Sequence, residues 1–309
     1  MEPSEVLRGL PVSTLGFKET VAKVAGWAAS GEGMRYFACV NAHSAELAHR
    51  DERFMEALQQ ANLLVADGAG IVLASSITGG RIKERVTGPD LFLAVSTELN
   101  ALGGKSVFYL GGNESTLAKL VVTHRQRFPR LKIAGVHAPP YRAEFSDDEL
   151  AVMAAVVNAA HPDVLWLGLG APKQEKWLHA NRFRLQVPLC GPIGAMFDYF
   201  SGNVSMPPSW VQRWGLHWAH RLIREPRRLW RRNLDSPRFL YAVIKERLLN
   251  GPTVSLRSTR TPSAGNATHS TPDLASQKCR SSWSCDGQQL STSGHDAPQS
   301  ADGVEGERG

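Results

Sequence analysis

Val164-Leu165-Trp166-Leu167-Gly168-Leu169-Gly170-Ala171-Pro172-Lys173-Gln174-Glu175-Lys176-Trp177 decides the fold. Four apolar residues run without alternation, as in a strand buried on both faces of a parallel sheet. Gly168-Leu169-Gly170 then turns the chain, Pro172 suits the first position of a helix, and Lys173, Gln174 and Glu175 fill its first turn. An acid there suits the helix dipole, which explains Glu175 without a ligand. Gln174 has no such reason to be present and is free to hydrogen-bond one.

The same strand, turn and helix reading extends outward in both directions. Further strand-like runs lie at 35–40, 63–66, 106–110, 131–136 and 187–190, and helical patterns at 43–60, 87–102, 114–128 and 146–160. The last opens with Ser146-Asp147-Asp148-Glu149, a capping-box pattern. This alternation predicts an α/β fold, a Rossmann-like, doubly wound and mostly parallel sheet. Such sheets bind ligands beyond the carboxyl ends of their strands, so the residues just after each strand are the candidates.

Cys39-Val40-Asn41 ends the first of these runs and Ala66-Asp67-Gly68-Ala69-Gly70 the second. Asp67 reads equally well as a helix cap and as a general base or sugar-binding carboxylate. Lys83-Glu84-Arg85 reads as a solvated loop, or as one that points Arg85 at an anion. Gly111-Gly112 leaves amides free at a helix N-terminus, a place for phosphate or a simple tight turn. Gly191-Pro192-Ile193-Gly194 repeats the glycine turn. The chain has neither a Walker A loop nor a GxGxxG fingerprint with its downstream acid, which argues against a dehydrogenase.

Charge is unevenly placed along the 309 residues. The net is +6, yet residues 1–203 carry 20 basic and 20 acidic side chains, while 204–250 carry 10 and 3, a net of +7. A basic excess confined to one stretch argues against a nucleic-acid coat. In that stretch Trp210, Trp214 and Trp218 share one face of a helix, among Arg213, Arg221, Arg224, Arg227, Arg228, Arg231 and Arg232. The pattern reads as a helical appendage, either packed on the body or lying on an anionic membrane surface. From residue 251 onward 28 of 59 residues are Ser, Thr, Gly or Pro, which predicts a disordered tail. Domains are therefore expected at 1–203, 204–250 and 251–309. Cys39, Cys190, Cys279 and Cys285 show no CxxC or zinc spacing, so a reducing compartment is expected. With no signal-peptide pattern and no run of about 18 apolar residues, a cytoplasmic protein follows.

Read in order, Asn41, Ala66-Asp67-Gly68, Glu84-Arg85-Val86-Thr87-Gly88, Gly168 through Glu175 and Gly194-Ala195-Met196-Phe197-Asp198-Tyr199-Phe200-Ser201-Gly202 resemble the WecG/TagA/CpsF glycosyltransferases. The resemblance spans roughly residues 35–235. It implies an inverting transfer of a hexose or N-acetylhexosamine, N-acetylmannosamine-like, from a UDP-sugar to a polyprenyl-diphosphate-linked sugar in bacterial surface polysaccharide biosynthesis. It implies work at the inner face of the cell membrane, peripherally bound, with no metal and no cofactor. It implies Asp67 as the base, with Arg85 and Gln174 beside it in the catalytic group. The expected substrate contacts are Cys39, Asn41, Gly68, Gly111, Gly112, Gly168, Gly170, Lys173, Glu175, Gly194 and Asp198, with Arg221, Arg224, Arg228 and Arg231 from the basic stretch. The chain departs from the family pattern at Cys39, where a Thr is usual, at Ser205-Met206-Pro207 for Arg-Ala-Pro, and at His217 for Glu. These departures keep a non-catalytic UDP-sugar-binding or regulatory protein as the alternative. Nucleic acid is not an expected partner, and the choice between monomer and homo-oligomer stays open.

Overall fold

The computed structural model describes residues 3–142, 144–205 and 235–250. Among these, the chain begins with a hairpin, β1 (Ser4–Leu7) and β2 (Leu10–Ser13), which the strand-like runs of the sequence do not include. Its turn is Arg8-Gly9, with φ of 51° and 75°, the left-handed pair that a two-residue hairpin requires. Then follow α1 (Phe17–Ser30), β3 (Arg35–Val40), α2 (Ala42–Ala48), α3 (Glu52–Gln59), β4 (Leu63–Ala66), α4 (Ala69–Thr78) and α5 (Gly88–Leu102). The second half runs β5 (Ser106–Gly111), α6 (Glu114–Arg127), β6 (Lys132–His137), α7 (Asp147–Ala159), β7 (Val164–Gly168), α8 (Lys173–Asn181), β8 (Leu189–Pro192) and α9 (Met196–Phe200). A last helix, here α10, covers Asp235–Asn250.

Strands β3 to β8 form one parallel sheet in the order β4-β3-β8-β7-β5-β6. Alternate residues of each strand serve opposite layers, which is why the strands are apolar throughout. Phe37, Val65, Tyr109, Trp166 and Leu189 pack with α1, α5, α6 and α9 on one face. Ala38, Val40, Leu64 and Ala66 pack with α2, α3, α4, α10 and the hairpin on the other face. Leu110, Leu165, Leu167 and Cys190 continue that face under α7 and α8. The fold is the doubly wound α/β sandwich that the alternation predicts.

Several local expectations change. The pattern at 43–60 is two helices, because the Asp51 side chain accepts from Phe54 N at 3.0 Å and starts α3 afresh. Pro172 is the residue before α8 and not its first. The capping box at Ser146 and Glu149 forms as read. The basic stretch divides as well. Residues 206–234 and the 251–309 tail lie outside the described residues, but α10 is built into the body. Phe239 and Val243 of α10 are buried in the core it shares with α2 and α4. Its first residue, Asp235, is met by His43 Nδ1 at 2.7 Å and by Arg50 at 3.1 Å, and near its end Glu246 pairs with Arg8.

β5 leads outward to β6, whereas its neighbour β7 leads the other way to β8. The strand order therefore reverses between β5 and β7, and the crevice outside their carboxyl ends is the place where such sheets bind ligands.

Candidate active site

The tips of β3 and β4 are tied together. Asp67 N–H donates to Val40 O at 2.8 Å, and Val86 N–H donates to Ala66 O at 2.8 Å. The second bond straps the loop that carries Arg85 to the tip of β4, one residue before Asp67. Gly68, at φ 128° and ψ 151°, is the cap position of α4, a conformation that favours glycine. Asp67 thus stands one residue ahead of the cap, at the strand edge. A Cβ on Gly88 would lie 3.4 Å from Cys39 Sγ, so the start of α5 abuts the same edge. Burial pushes the Cys39 thiol well up, and Asp67 and Glu175 add to the shift. A protonated thiol is a weak hydrogen-bond donor and not a nucleophile. Asn41 caps α2, its Oδ1 accepting from Ser44 N at 3.0 Å while its own N–H donates to Ser44 Oγ at 2.7 Å. Arg85 opens onto a groove of about 660 Å³ lined by Phe17, Glu84, Asp90 and Leu93.

Around the crevice the glycines have a packing reason. Gly111 pairs with Gly168, and a Cβ on Gly111 would come within 2.6 Å of the Gly168 carbonyl carbon. A Cβ on Gly168 would meet the Phe197 ring, which also lies 3.5 Å from one on Gly112. These glycines let α9 sit close on the strand tips. The adjoining α6 N-terminus is capped by Asn113, whose Oδ1 accepts from Thr116 N at 2.8 Å. Gly112 N–H donates to Gly168 O at 3.3 Å, so this amide is not the free one that the sequence reading expects. On the β7 side Gly170 takes φ 79°. Its N–H donates to Gln174 Oε1 at 3.2 Å, and Gln174 Nε2 donates to Glu175 Oε1 at 2.9 Å. Gly194, at φ 50°, faces the same amide. Glu175 is 2% exposed, and burial pushes its carboxyl up to about 7 against the lowering effect of the Gln174 bond.

The fold therefore brings Cys39, Asn41, Asp67, Gly68 and the Arg85 loop to one part of the carboxyl edge. It brings Gly111, Gly112, Gly168, Gly170, Gln174, Glu175 and Gly194 to another. Lys173 turns away. Its Nζ donates to Arg142 O at 2.7 Å and lies 5.0 Å above the Tyr141 ring. Asp198 is exposed on α9. Arg221, Arg224, Arg228 and Arg231 lie outside the described residues. The sequence reading missed the His43, Arg50 and Asp235 cluster beside Asn41. Its partners are up to 192 residues apart, so no local pattern announces it.

A doubly wound sheet with a carboxylate and glycine turns at its carboxyl edge is a nucleotide-binding framework, and the chemistry it hosts must come from the site and its relatives. The model of the Glycosyl transferase WecG/TagA/CpsF family matches residues 5–252, and the chain belongs to that family of glycosyltransferases. Its relatives include the N-acetylglucosaminyldiphosphoundecaprenol N-acetyl-beta-D-mannosaminyltransferase of Bacillus subtilis (strain 168). The two are 33% identical over 207 residues, 67% of this chain and 78% of the relative. The enzyme of that name from Bacillus spizizenii is 32% identical over 198 residues, covering 64% and 74%. The one from Staphylococcus aureus (strain MW2) is 26% identical over 196 residues, covering 63% and 73%. Among the described residues no helix is long and apolar enough to cross a membrane.

Proposed function

We propose that the protein transfers an N-acetylmannosamine-like sugar from a UDP-sugar to a polyprenyl-diphosphate-linked sugar, with inversion. The observation that carries this reading is the position of Asp67, held at the strand edge beside Cys39, Asn41 and the Arg85 loop in a chain of this family. The names of the relatives support the donor and acceptor classes. In the proposed reaction Asp67 takes the proton of the acceptor hydroxyl as its oxygen bonds to the anomeric carbon. The bond from that carbon to UDP breaks on the opposite face, and UDP leaves with the electron pair. Arg85 meets the charge that develops on the diphosphate, while Gln174 orders the β7 turn, whose Gly170 N–H it accepts from.

The same reading places the protein on an anionic membrane surface, with residues 1–203 and α10 as the transferase body. The +7 charge of 204–250 supports it. So does the outer face of α10, where Tyr241, Ile244 and Leu248 are 68%, 42% and 80% exposed beside exposed Arg238 and Lys245, the make-up of an interfacial helix.

UDP release with a panel of UDP-sugars and a lipid-linked acceptor tests the transfer. Asp67→Asn is expected to slow it by about 10²- to 10⁴-fold. If the wild type releases no UDP with any pair, the non-catalytic reading replaces this one. Serine at positions 241, 244 and 248 together is expected to weaken co-sedimentation with anionic vesicles, and unchanged binding removes α10 from the membrane contact.

A further inference from the structure

We propose that Glu175 is a positioning residue, whose carboxyl group orients the Gln174 amide so that this amide clasps Gly170 and fixes the turn at the tip of β7. The kinetic part of this inference rests on the transferase reading above, and the structural part does not.

The hydrogen bonds define the arrangement. Gly170 N–H donates to Gln174 Oε1 at 3.2 Å, and Gly170 O accepts from Gln174 N at 3.1 Å. One residue thus holds both backbone groups of a left-handed glycine. This works only with the amide oxygen toward Gly170. Turned over, the amide would set its NH₂ against a backbone N–H, donor against donor. Glu175 Oε1, accepting from Gln174 Nε2 at 2.9 Å, holds the correct orientation from the other side. The amide is also close to Gly194, where a Cβ would lie 3.6 Å from both its nitrogen and its oxygen. Gln174 therefore joins the β7 turn to the β8 turn, and Glu175 sets which way it faces.

The burial of Glu175 is the second observation. A carboxylate in the first helical turn serves the helix dipole equally well in solvent, so the dipole does not account for a residue 2% exposed. Among the described residues Glu175 Oε2 is buried and has no hydrogen-bond partner, which costs free energy. Against that cost stands the bond that Oε1 accepts from Gln174. A group buried at such expense on one side-chain hydrogen bond, beside the ligand edge, is accounted for by what that bond orients.

Amide hydrogen exchange in the full chain at about pH 4.5, below the range in which ionisation of Glu175 alters global stability, read at Gly170 against Leu167 and Cys190, tests this. Glu175→Met removes the acceptor while keeping the side chain's length. Exchange at Gly170 is expected to quicken about tenfold, the counterpart of one lost hydrogen bond, with Leu167 and Cys190 unchanged. Glu175→Gln keeps an acceptor oxygen and is expected to stay within about twofold of wild type. If the Met variant does not fold, Glu175→Asp, one methylene too short for the bond, takes its place with the same expectation. In UDP-release kinetics kcat of the Met variant is expected to fall about tenfold or more while KM for the UDP-sugar moves less, and Gln is expected to recover most of the loss. Wild-type exchange at Gly170 in the Met or Asp variant overturns the proposal, as does a Gln variant that exchanges as fast as Met. If the wild type transfers no sugar, the transferase reading fails, and the exchange data still decide the role of Glu175.

Discussion

Replacing Glu175 by Gln should stabilise the fold by an amount that grows as the pH rises. Burial raises the Glu175 carboxyl from the usual 4.5 to about 7. Between those values the folded chain holds a proton that the unfolded chain has released. The native state binds more protons, so stability falls as pH rises through this window, by about 1.4 kcal/mol per unit. Over the full interval the loss is about 3 kcal/mol, complete once the pH passes the folded value. Gln cannot ionise and resembles the protonated acid, so the variant should lie within about 1 kcal/mol of wild type at pH 5 and exceed it by about 3 kcal/mol at pH 8. With a urea slope of about 3 kcal/mol/M the midpoint difference reaches about 1 M. Urea titrations of both proteins at half-unit steps from pH 4.5 to 8.5 measure it, and the difference curve isolates Glu175 from every other titrating group. A difference that stays constant across the range, or one that shrinks toward alkaline pH, refutes the reasoning.

Once Glu175 is removed, the remaining slope should have the opposite sign. Burial lowers His124, His49 and His179. The unfolded chain then binds more protons near pH 6.5, so the Glu175→Gln variant should gain stability as pH rises from 5 to 7. A falling midpoint over that range contradicts this. Asp235→Ala removes the buried carboxylate that His43 and Arg50 meet and should cost about 1–3 kcal/mol, with α10 becoming a preferred site of limited proteolysis. Although burial opposes it, the bonds from His43 and Arg50 hold Asp235 below the usual carboxylate range. Its contribution is therefore present above the unfolded value near pH 4 and is lost as pH falls through the lower folded one. Gly168→Ala should cost about 1–3 kcal/mol, because the new Cβ meets the Phe197 ring. Phe197→Leu should recover part of that loss in a double-mutant cycle.

Much of the fold is legible because its signals are local. Val164–Gly168 is apolar at every position since both faces of β7 are covered, and that shows in five consecutive letters. Ser146 and Glu149 announce the start of α7 because a capping box closes within four residues. The break between α2 and α3 has a local cause too, but the Asp51 cap lies inside a continuous helical pattern, where the period outweighs a single side chain. The β1–β2 hairpin is four residues per strand, too short for its alternation to stand out from a loop.

The candidate site divides in the same way. Asp67, Asn41 and the glycine turns stand out because strand tips in a doubly wound sheet can be located from the sequence. The roles of neighbouring residues cannot. Lys173 and Glu175 sit two residues apart in one helical turn, yet one reaches out to Arg142 and the other is buried against Gln174. Which side of α8 faces the sheet is set by packing on β7 and β8, and no periodicity in so short a helix fixes it.

By itself, the sequence determined the alternating α/β order, the strand-tip location of Asp67 and the family to which the chain belongs. Each is written in residues close together or in motifs kept in order. Only the tertiary structure decided that α10 belongs to the body, that Gly168 and Gly111 are small to admit Phe197 and each other, and that Glu175 gives up solvent for Gln174. Those outcomes depend on contacts between segments far apart in the chain, whose free energy exists only once the sheet has closed around them.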